Sequence, residues 1–202
     1  MTAASRELNI GLWRARSTAN GPGTRFVLWL QGCDVRCPGC FNPEFQPLDA
    51  RTVLPVNAVA AMVLDTSGIE GVSYSGGEPT RQAGALAELS ERLREGGLSV
   101  LCFSGHTLEA LRTRHDPDID RLLRLTDILI DGPYLAEQAA ALRWRGSRNQ
   151  RVHFLTPRYQ ALSATIDEAP AEVELAVDEA YLSATGIWPP GFLERLKELL
   201  QA

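Results

Sequence analysis

Long apolar runs are missing from this sequence. The longest, Ala58 to Leu64, spans seven residues, whereas a membrane-spanning helix needs about 20, so a helical membrane span is excluded and no membrane partner is expected. Lysine is nearly missing as well: Lys197 is alone among 20 basic residues, a skew that fits genomic base composition and carries no functional weight. Basic charge is in deficit, with 25 acidic against 20 basic residues and a net charge of −5. That deficit argues against non-specific nucleic-acid binding, which depends on a basic surface, and leaves room only for local basic patches. Internal repeats, low-complexity tracts and long Gly/Ser linkers are absent too, which sets aside solenoids and fibrous chains. Met1 to Arg16 holds acidic and polar residues where the apolar stretch of a secretory leader would lie. No signal peptide is expected there, and a cytoplasmic location is the default.

What is present describes a globular chain of 202 residues, 45% hydrophobic and 22% charged, long enough to bury a core in one domain with an appendage. Phe26 to Leu30 is an apolar run of strand length that ends in a Cys/Gly/Pro-rich loop from Gly32 to about Pro47. A helix fits Asn57 to Leu64, and a short strand, Gly71 to Tyr74, runs into Ser75-Gly76-Gly77-Glu78-Pro79. Leu86, Leu89 and Leu93 recur at helical spacing up to Gly96-Gly97, Leu98 to Phe103 reads as a buried strand, and Ser104-Gly105-His106 closes it. Leucines from Leu108 to Leu125 fall on helices interrupted around Asp116-Pro117, and Asp127 to Asp131 forms a further strand stopped by Gly132-Pro133.

Mostly apolar strands alternating with helices imply an α/β fold with a parallel sheet and helices on its outer face. From about Arg151 the rhythm decays. Val152 to Leu155 and Val173 to Val177 are strand candidates, and Pro189-Pro190 precedes an amphipathic helix with Phe192, Leu196, Leu199 and Leu200 on one stripe. That stripe is expected to pack on the core, the alternative being a partner. Residues 1–155 form the expected core and 156–202 an extension packed on it. The Gly-rich and polar motifs all follow the C-terminal ends of the proposed strands, where parallel α/β folds place active sites. An enzyme is the leading class.

Three of the four cysteines lie in Cys33-Asp34-Val35-Arg36-Cys37-Pro38-Gly39-Cys40, on the loop after the first apolar strand. A disulfide framework fits poorly, because the cluster is odd in number and a cytoplasmic chain stays reduced. A structural zinc site wants four ligands, and neither Cys102 nor a histidine lies nearby in sequence. Three thiolates suit an iron–sulfur cluster with one iron left open, so Cys33, Cys37 and Cys40 are the candidate metal ligands. The alternative is a set of buried apolar cysteines. Cys102, inside a strand, is expected to be structural.

Cys33-x3-Cys37-x2-Cys40 followed by Gly76-Gly77-Glu78-Pro79 resembles the radical S-adenosylmethionine enzymes. Gly21-Pro22-Gly23-Thr24-Arg25, Gln31-Gly32-Cys33 and Cys37-Pro38-Gly39-Cys40-Phe41-Asn42-Pro43-Glu44 narrow the resemblance to activating enzymes of glycyl radical proteins. Asp127 to Tyr134 and Arg145-Gly146-Ser147-Arg148-Asn149-Gln150-Arg151 narrow it further, to the anaerobic ribonucleotide reductase activase group. The match covers about Gly21 to Arg151.

The resemblance implies a partial, laterally open (β/α) barrel carrying a C-terminal extension, with a [4Fe–4S] cluster and S-adenosylmethionine as cofactors. It implies one-electron reductive cleavage of S-adenosylmethionine to a 5′-deoxyadenosyl radical, which abstracts hydrogen from a glycine of the reductase. A flavodoxin or ferredoxin is the implied electron donor. In the family, Gly76, Gly77, Glu78 and Pro79 would meet the methionine amino group. Physically, a Gly-rich strand end lets backbone approach a ligand closely, and a carboxylate accepts from an ammonium. Many members place an aromatic residue just before the third cysteine to contact adenine. Here that position is Gly39, and Phe41 is the candidate for that face.

Ser104, Asp131 and Arg145 are further candidate cofactor contacts. The bland readings are a strand-end cap for Ser104-Gly105-His106, a turn-initiating Asp131 before Gly-Pro, and a solvated loop for Arg145 to Gln150. Two rival functions use the same residues: a radical enzyme acting on a small molecule or peptide, with the extension completing its pocket, and a non-catalytic cluster-binding module.

Overall fold

The computed structural model of the chain describes residues 6–177 and 182–201; the opening five residues of the segment read for a leader lie outside those bounds. Its centre is a seven-stranded mixed sheet ordered β3-β1-β2-β4-β5-β6-β9. The strands are β1 (Glu7–Ser17), β2 (Arg25–Leu30), β3 (Thr52–Pro55), β4 (Gly71–Gly76), β5 (Ser99–Ser104), β6 (Ile128–Asp131) and β9 (Arg151–Phe154). β2, β4, β5 and β6 run parallel, while β1 and β9 flank them antiparallel.

Side chains alternate across this sheet with the period of two that a strand imposes. Phe26, Leu28, Leu30, Val72, Tyr74, Val100, Cys102 and Leu129 face one side. There they meet α1 (Val56–Leu64), α2 (Ala83–Glu95), α3 (Leu108–Thr113) and α4 (Pro117–Leu125). Leu101, Ile128 and Ile130 face the other side with Trp144, Tyr159 and Ile166. Helices α3 and α4 are started by identifiable chemistry. Asp116 caps α4 by accepting from the Asp118 and Ile119 amides, and Thr107 caps α3 through the Ala110 amide.

The N-terminal ends of the parallel strands are joined by Arg25, whose side chain is fully buried. Its guanidinium donates to Ser73 Oγ (2.7 Å), Ser99 Oγ (2.9 Å) and the Val72 carbonyl (2.5 Å). Burial lowers its pKa, opposed by Tyr159 and Glu70, which hydrogen-bond each other beside it. Gly21 adopts φ 139°, and a side chain there would run into Arg25. The Gly21 to Arg25 motif is therefore a staple at the closed end of the sheet, remote from the strand ends where the other motifs gather.

Beyond β6 come the hairpin β7 (Ala139–Leu142) and β8 (Arg145–Ser147), and after β9 a second hairpin, β10 (Val173–Val177) and β11 (Leu182–Gly186). The chain ends in α5 (Phe192–Gln201). Its stripe is only partly packed away: Phe192 and Leu196 are half-buried, whereas Leu199 and Leu200 are 75% and 65% exposed. Helix α1 begins one residue earlier than the spacing predicts, at Val56, and β4 continues through Gly76.

Candidate functional site

One cavity opens at the C-terminal ends of the parallel strands, and Cys33, Cys37 and Cys40 all line it, together with Gly76, Gly77 and Glu78. The cysteine loop leaves β2 through Gln31 and is held at both ends. The Gly32 amide donates to the Phe45 carbonyl (2.8 Å) and the Cys33 amide to the Gln46 carbonyl (3.0 Å). Between these clamps Gly39 takes φ 73° and Arg36 φ 51°. The left-handed backbone at Gly39 explains why this position suits glycine over an aromatic residue.

All four cysteines are free thiols. Burial pushes the Cys33 thiol up; the Arg36 and Val35 amides offset part of this, and the negative charge of Glu78 and Asp34 adds to it. Burial likewise raises Cys37, with Cys40 and Cys33 adding to the effect. Binding a metal through these cysteines would release their thiol protons. Among the described residues no group of three His, Cys, Asp or Glu side chains stands as a preformed metal site. The donor chemistry nevertheless fits a thiolate-held cluster: three reduced cysteines from one clamped loop border one space.

Glu78 is 1% exposed and its carboxylate ties two strand ends together. It accepts from the Thr80 amide (2.9 Å), Thr80 Oγ1 (2.6 Å), Ser104 Oγ (3.0 Å) and the Gly105 amide (2.8 Å). Three of these fall on one oxygen, leaving acceptor capacity on the oxygen that faces Gly105. Gly76 has φ 97°, and a Cβ there would lie 2.5 Å from the Leu30 amide nitrogen; one on Gly77 would strike the Gly32 carbonyl. Close backbone packing between β2 and β4 therefore requires both glycines, whatever ligand they also meet. Pro79 is buried at the start of the short helical turn that follows and does not line the cavity.

Phe41 lines the cavity and sits between two aromatic rings: Tyr134 edge-on at 5.3 Å and Trp188 at 5.2 Å between centroids. Ser104 and Gly105 line it too, while His106 turns aside to Asp34, with Nε2 3.3 Å from the carboxylate.

Besides Pro79, two candidate contacts are placed elsewhere. Asp131 is wholly buried: its carboxylate accepts from the Leu108 amide (2.6 Å) and pairs with Arg151 (2.6 Å) and His153 (3.0 Å), so it anchors α3 and β9 and does not border the cavity. Arg145 points away to Asp167 at 2.5 Å, while its neighbours Trp144 and Gly146 face the cavity. Most of the polar groups of this loop are spent internally. Gln150 accepts from the Gly146 and Ser147 amides and donates to the Gly132 carbonyl, and Asn149 donates to the Pro133 carbonyl.

Sequence reasoning raised a pocket contribution from the C-terminal extension only for the rival small-molecule or peptide reading, and named none of its residues. Ser183 to Trp188 also line the cavity. The hairpin is moored by Arg14, which reaches Glu174 (2.9 Å) and Ser183 (2.7 Å), by Ser17 donating to Glu174 (2.8 Å), and by Asn20 donating to Thr185 (2.9 Å). The signal, small residues of low apolar content before Trp188-Pro189-Pro190, resembles that of any surface loop.

Residues 19–153 match the family model described as a 4Fe-4S single cluster domain. Anaerobic ribonucleoside-triphosphate reductase-activating proteins are similar along most of their length. That of Vibrio cholerae is 35% identical over 146 residues, taking in 68% of this chain and 92% of the relative. That of Escherichia coli K12 is 30% identical over 145 residues, 67% and 92%. The one from Enterobacteria phage T4 is 29% identical over 139 residues, 66% and 85%.

Proposed function

This chain belongs to the family of anaerobic ribonucleoside-triphosphate reductase-activating proteins, built on a 4Fe-4S single cluster domain, and we propose that it is a radical S-adenosylmethionine enzyme that installs a glycyl radical on such a reductase. The observation that carries this reading is the convergence of three free cysteines from one clamped loop with the Gly76 to Glu78 strand end on a single cavity. In this reading the mixed sheet is the wall of a partial (β/α) barrel, open on one side so that a segment of a protein substrate can enter.

When bound, the [4Fe–4S] cluster and S-adenosylmethionine supply an electron and a 5′-deoxyadenosyl radical that takes one hydrogen atom from the substrate glycine. The chain's own residues bind, orient and shield. Cys33, Cys37 and Cys40 ligate the cluster through three thiolates. Glu78, already fixed by Ser104 and Gly105, offers its remaining acceptor site to the methionine ammonium. Gly76 and Gly77 let that strand end pass close to the backbone of Leu30 and Gly32. Phe41, braced by Tyr134, presents an aromatic face to the adenine. Asp131 and Arg145 act at one remove, by fixing α3, β9 and the loop around Gly146. The protein partners are the reductase and a flavodoxin- or ferredoxin-type electron donor, and the setting is the cytoplasm.

Reconstitution with iron and sulfide under anaerobic conditions, reduction and addition of S-adenosylmethionine should yield 5′-deoxyadenosine, and a Cys37→Ala control should yield none. A loaded, reduced protein that forms no 5′-deoxyadenosine, with or without the reductase, would leave a cluster-binding module as the better description.

A further inference from the structure

The family domain ends at residue 153, yet Ser183 to Trp188, far beyond it, form part of the wall around the cysteines. The strand in this stretch, β11, belongs to a two-stranded sheet, so among the described residues one of its edges has no strand partner. Its register identifies the residue that presents that edge. Val173 pairs with Gly186, Glu174 with Thr185, Leu175 with Ala184 and Ala176 with Ser183. One step before Val173, Glu172 accepts the Ile187 amide at 2.9 Å. Antiparallel partners alternate between pairs that exchange main-chain hydrogen bonds and pairs that do not. Counting from the bonded Glu172–Ile187 pair, Thr185 and Ser183 turn their main-chain groups toward β10, while Ala184 turns its N–H and C=O outward.

Ala184 lines the cavity, and among the described residues nothing hydrogen-bonds to its outward groups. The neighbouring side chains are small, Ser183 and Thr185 being drawn aside to Arg14 and Asn20, so another backbone can approach closely. The edge is also held firmly in place, because Glu174 on β10 accepts from Arg14, Ser17 and the Thr18 amide at once.

We propose that the outward edge of β11 at Ala184 is a docking edge for the polypeptide substrate, which enters as an extended segment and pairs with it main chain to main chain. The inference rests on the reading above that the substrate is a protein segment carrying a glycine. Its recognition chemistry is strand addition: unpaired N–H and C=O groups supply affinity without demanding a particular side chain, as a segment centred on glycine requires. Pairing would fix the depth at which the glycine α-carbon sits relative to the cysteine loop, so the extension sets substrate position and leaves cofactor chemistry to the family domain.

The test uses anaerobic, cluster-loaded, full-length enzyme. Ala184→Pro removes the outward N–H and leaves every bond between β10 and β11, and iron content and the thermal transition establish that the variant folds and loads its cluster. The KM for the reductase should rise tenfold or more, with little change in kcat. A second arm leaves the enzyme untouched: a synthetic peptide spanning the radical-bearing glycine of the reductase is N-methylated one amide at a time. Binding should fall at the amide that faces Ala184 and persist at the amides beside it. A flat N-methyl scan, or a KM unmoved in a folded Ala184→Pro protein, overturns the proposal. Absence of 5′-deoxyadenosine from the unmodified enzyme identifies failure of the underlying reading instead.

Discussion

Trp188 packs on Phe41 with ring centroids 5.2 Å apart, so a residue from beyond the family domain braces the aromatic side chain next to Cys40. An aromatic pair contributes about 0.5–1.5 kcal/mol beyond the area it buries. Trp188→Ala should therefore loosen the cysteine loop with little effect on the sheet. Amides from Cys37 to Asn42 should exchange faster with deuterium and a chelator should strip iron sooner, while the main thermal transition stays within a few degrees. Unchanged chelation kinetics would show that Tyr134 alone holds Phe41.

The mooring of the β10–β11 hairpin depends on pH. Burial on its own would raise the Glu174 pKa, but the Thr18 amide, the Ser17 hydroxyl and Arg14 outweigh it and hold the carboxyl below its ordinary value of 4.5. A carboxyl depressed in the folded state stabilises it fully above its unfolded pKa, and that stability is lost as pH falls through the folded value. Hairpin docking should thus be constant from neutral pH down to about 4.5 and weaken below it. Intrinsic fluorescence followed through an acid titration, with a Trp188→Phe variant subtracted to isolate Trp188, should show the transition, and Glu174→Gln should remove it. A transition of equal size in the Gln variant would assign the effect to another group.

Two glycines in the left-handed region make a controlled comparison. Gly97 has φ 82° with nothing within 4 Å of an added Cβ, so Gly97→Ala should cost only the backbone strain, about 1 kcal/mol. Gly76→Ala meets the Leu30 backbone at 2.5 Å in addition, must push β4 from β2, and should cost several times as much. Chemical denaturation of the two variants measures both. Equal losses would mean that the β2–β4 approach is looser than the geometry states.

Cys102 is 1% exposed among core side chains, and burial raises its thiol pKa well above the usual value. A thiol held protonated in an apolar setting is a poor metal ligand. Cys102→Ala should retain the full iron content after reconstitution and lose only packing, whereas Cys37→Ala should lose the cluster absorbance. Iron and acid-labile sulfide assays on both variants distinguish a ligand from a core residue.

The parallel strands were legible because each is a nearly unbroken apolar run: β2, β5 and β6 are buried on both faces and leave no polar alternation to confuse the period. β1 was not legible. Only Leu8, Ile10 and Ser17 of its eleven residues are buried, and register shifts near Gly11 and between Arg14 and Ser17 break the alternation. The cysteine loop and the Gly76 to Glu78 strand end could be read from residue type and spacing. Arg145 and Asp131 show what residue type alone omits. A charged side chain beside a motif can face either way, and here both were claimed by partners distant in sequence, Asp167 for one and Arg151 with His153 for the other. The hairpin's place over the cavity depends on Arg14 meeting Glu174, a pairing across 160 positions that no local pattern encodes.

In the proposed function, the reaction on this chain ends with a hydrogen atom taken from a glycine of an anaerobic ribonucleoside-triphosphate reductase. The most direct measurement is electron paramagnetic resonance of that reductase after anaerobic incubation with the reduced, cluster-loaded protein and S-adenosylmethionine. The account predicts an organic radical signal split by a single α-hydrogen, collapsing when the glycine carries deuterium at that carbon and absent with Cys37→Ala. Formation of 5′-deoxyadenosine at full rate with no radical on the reductase would contradict it and redirect the same chemistry to another substrate.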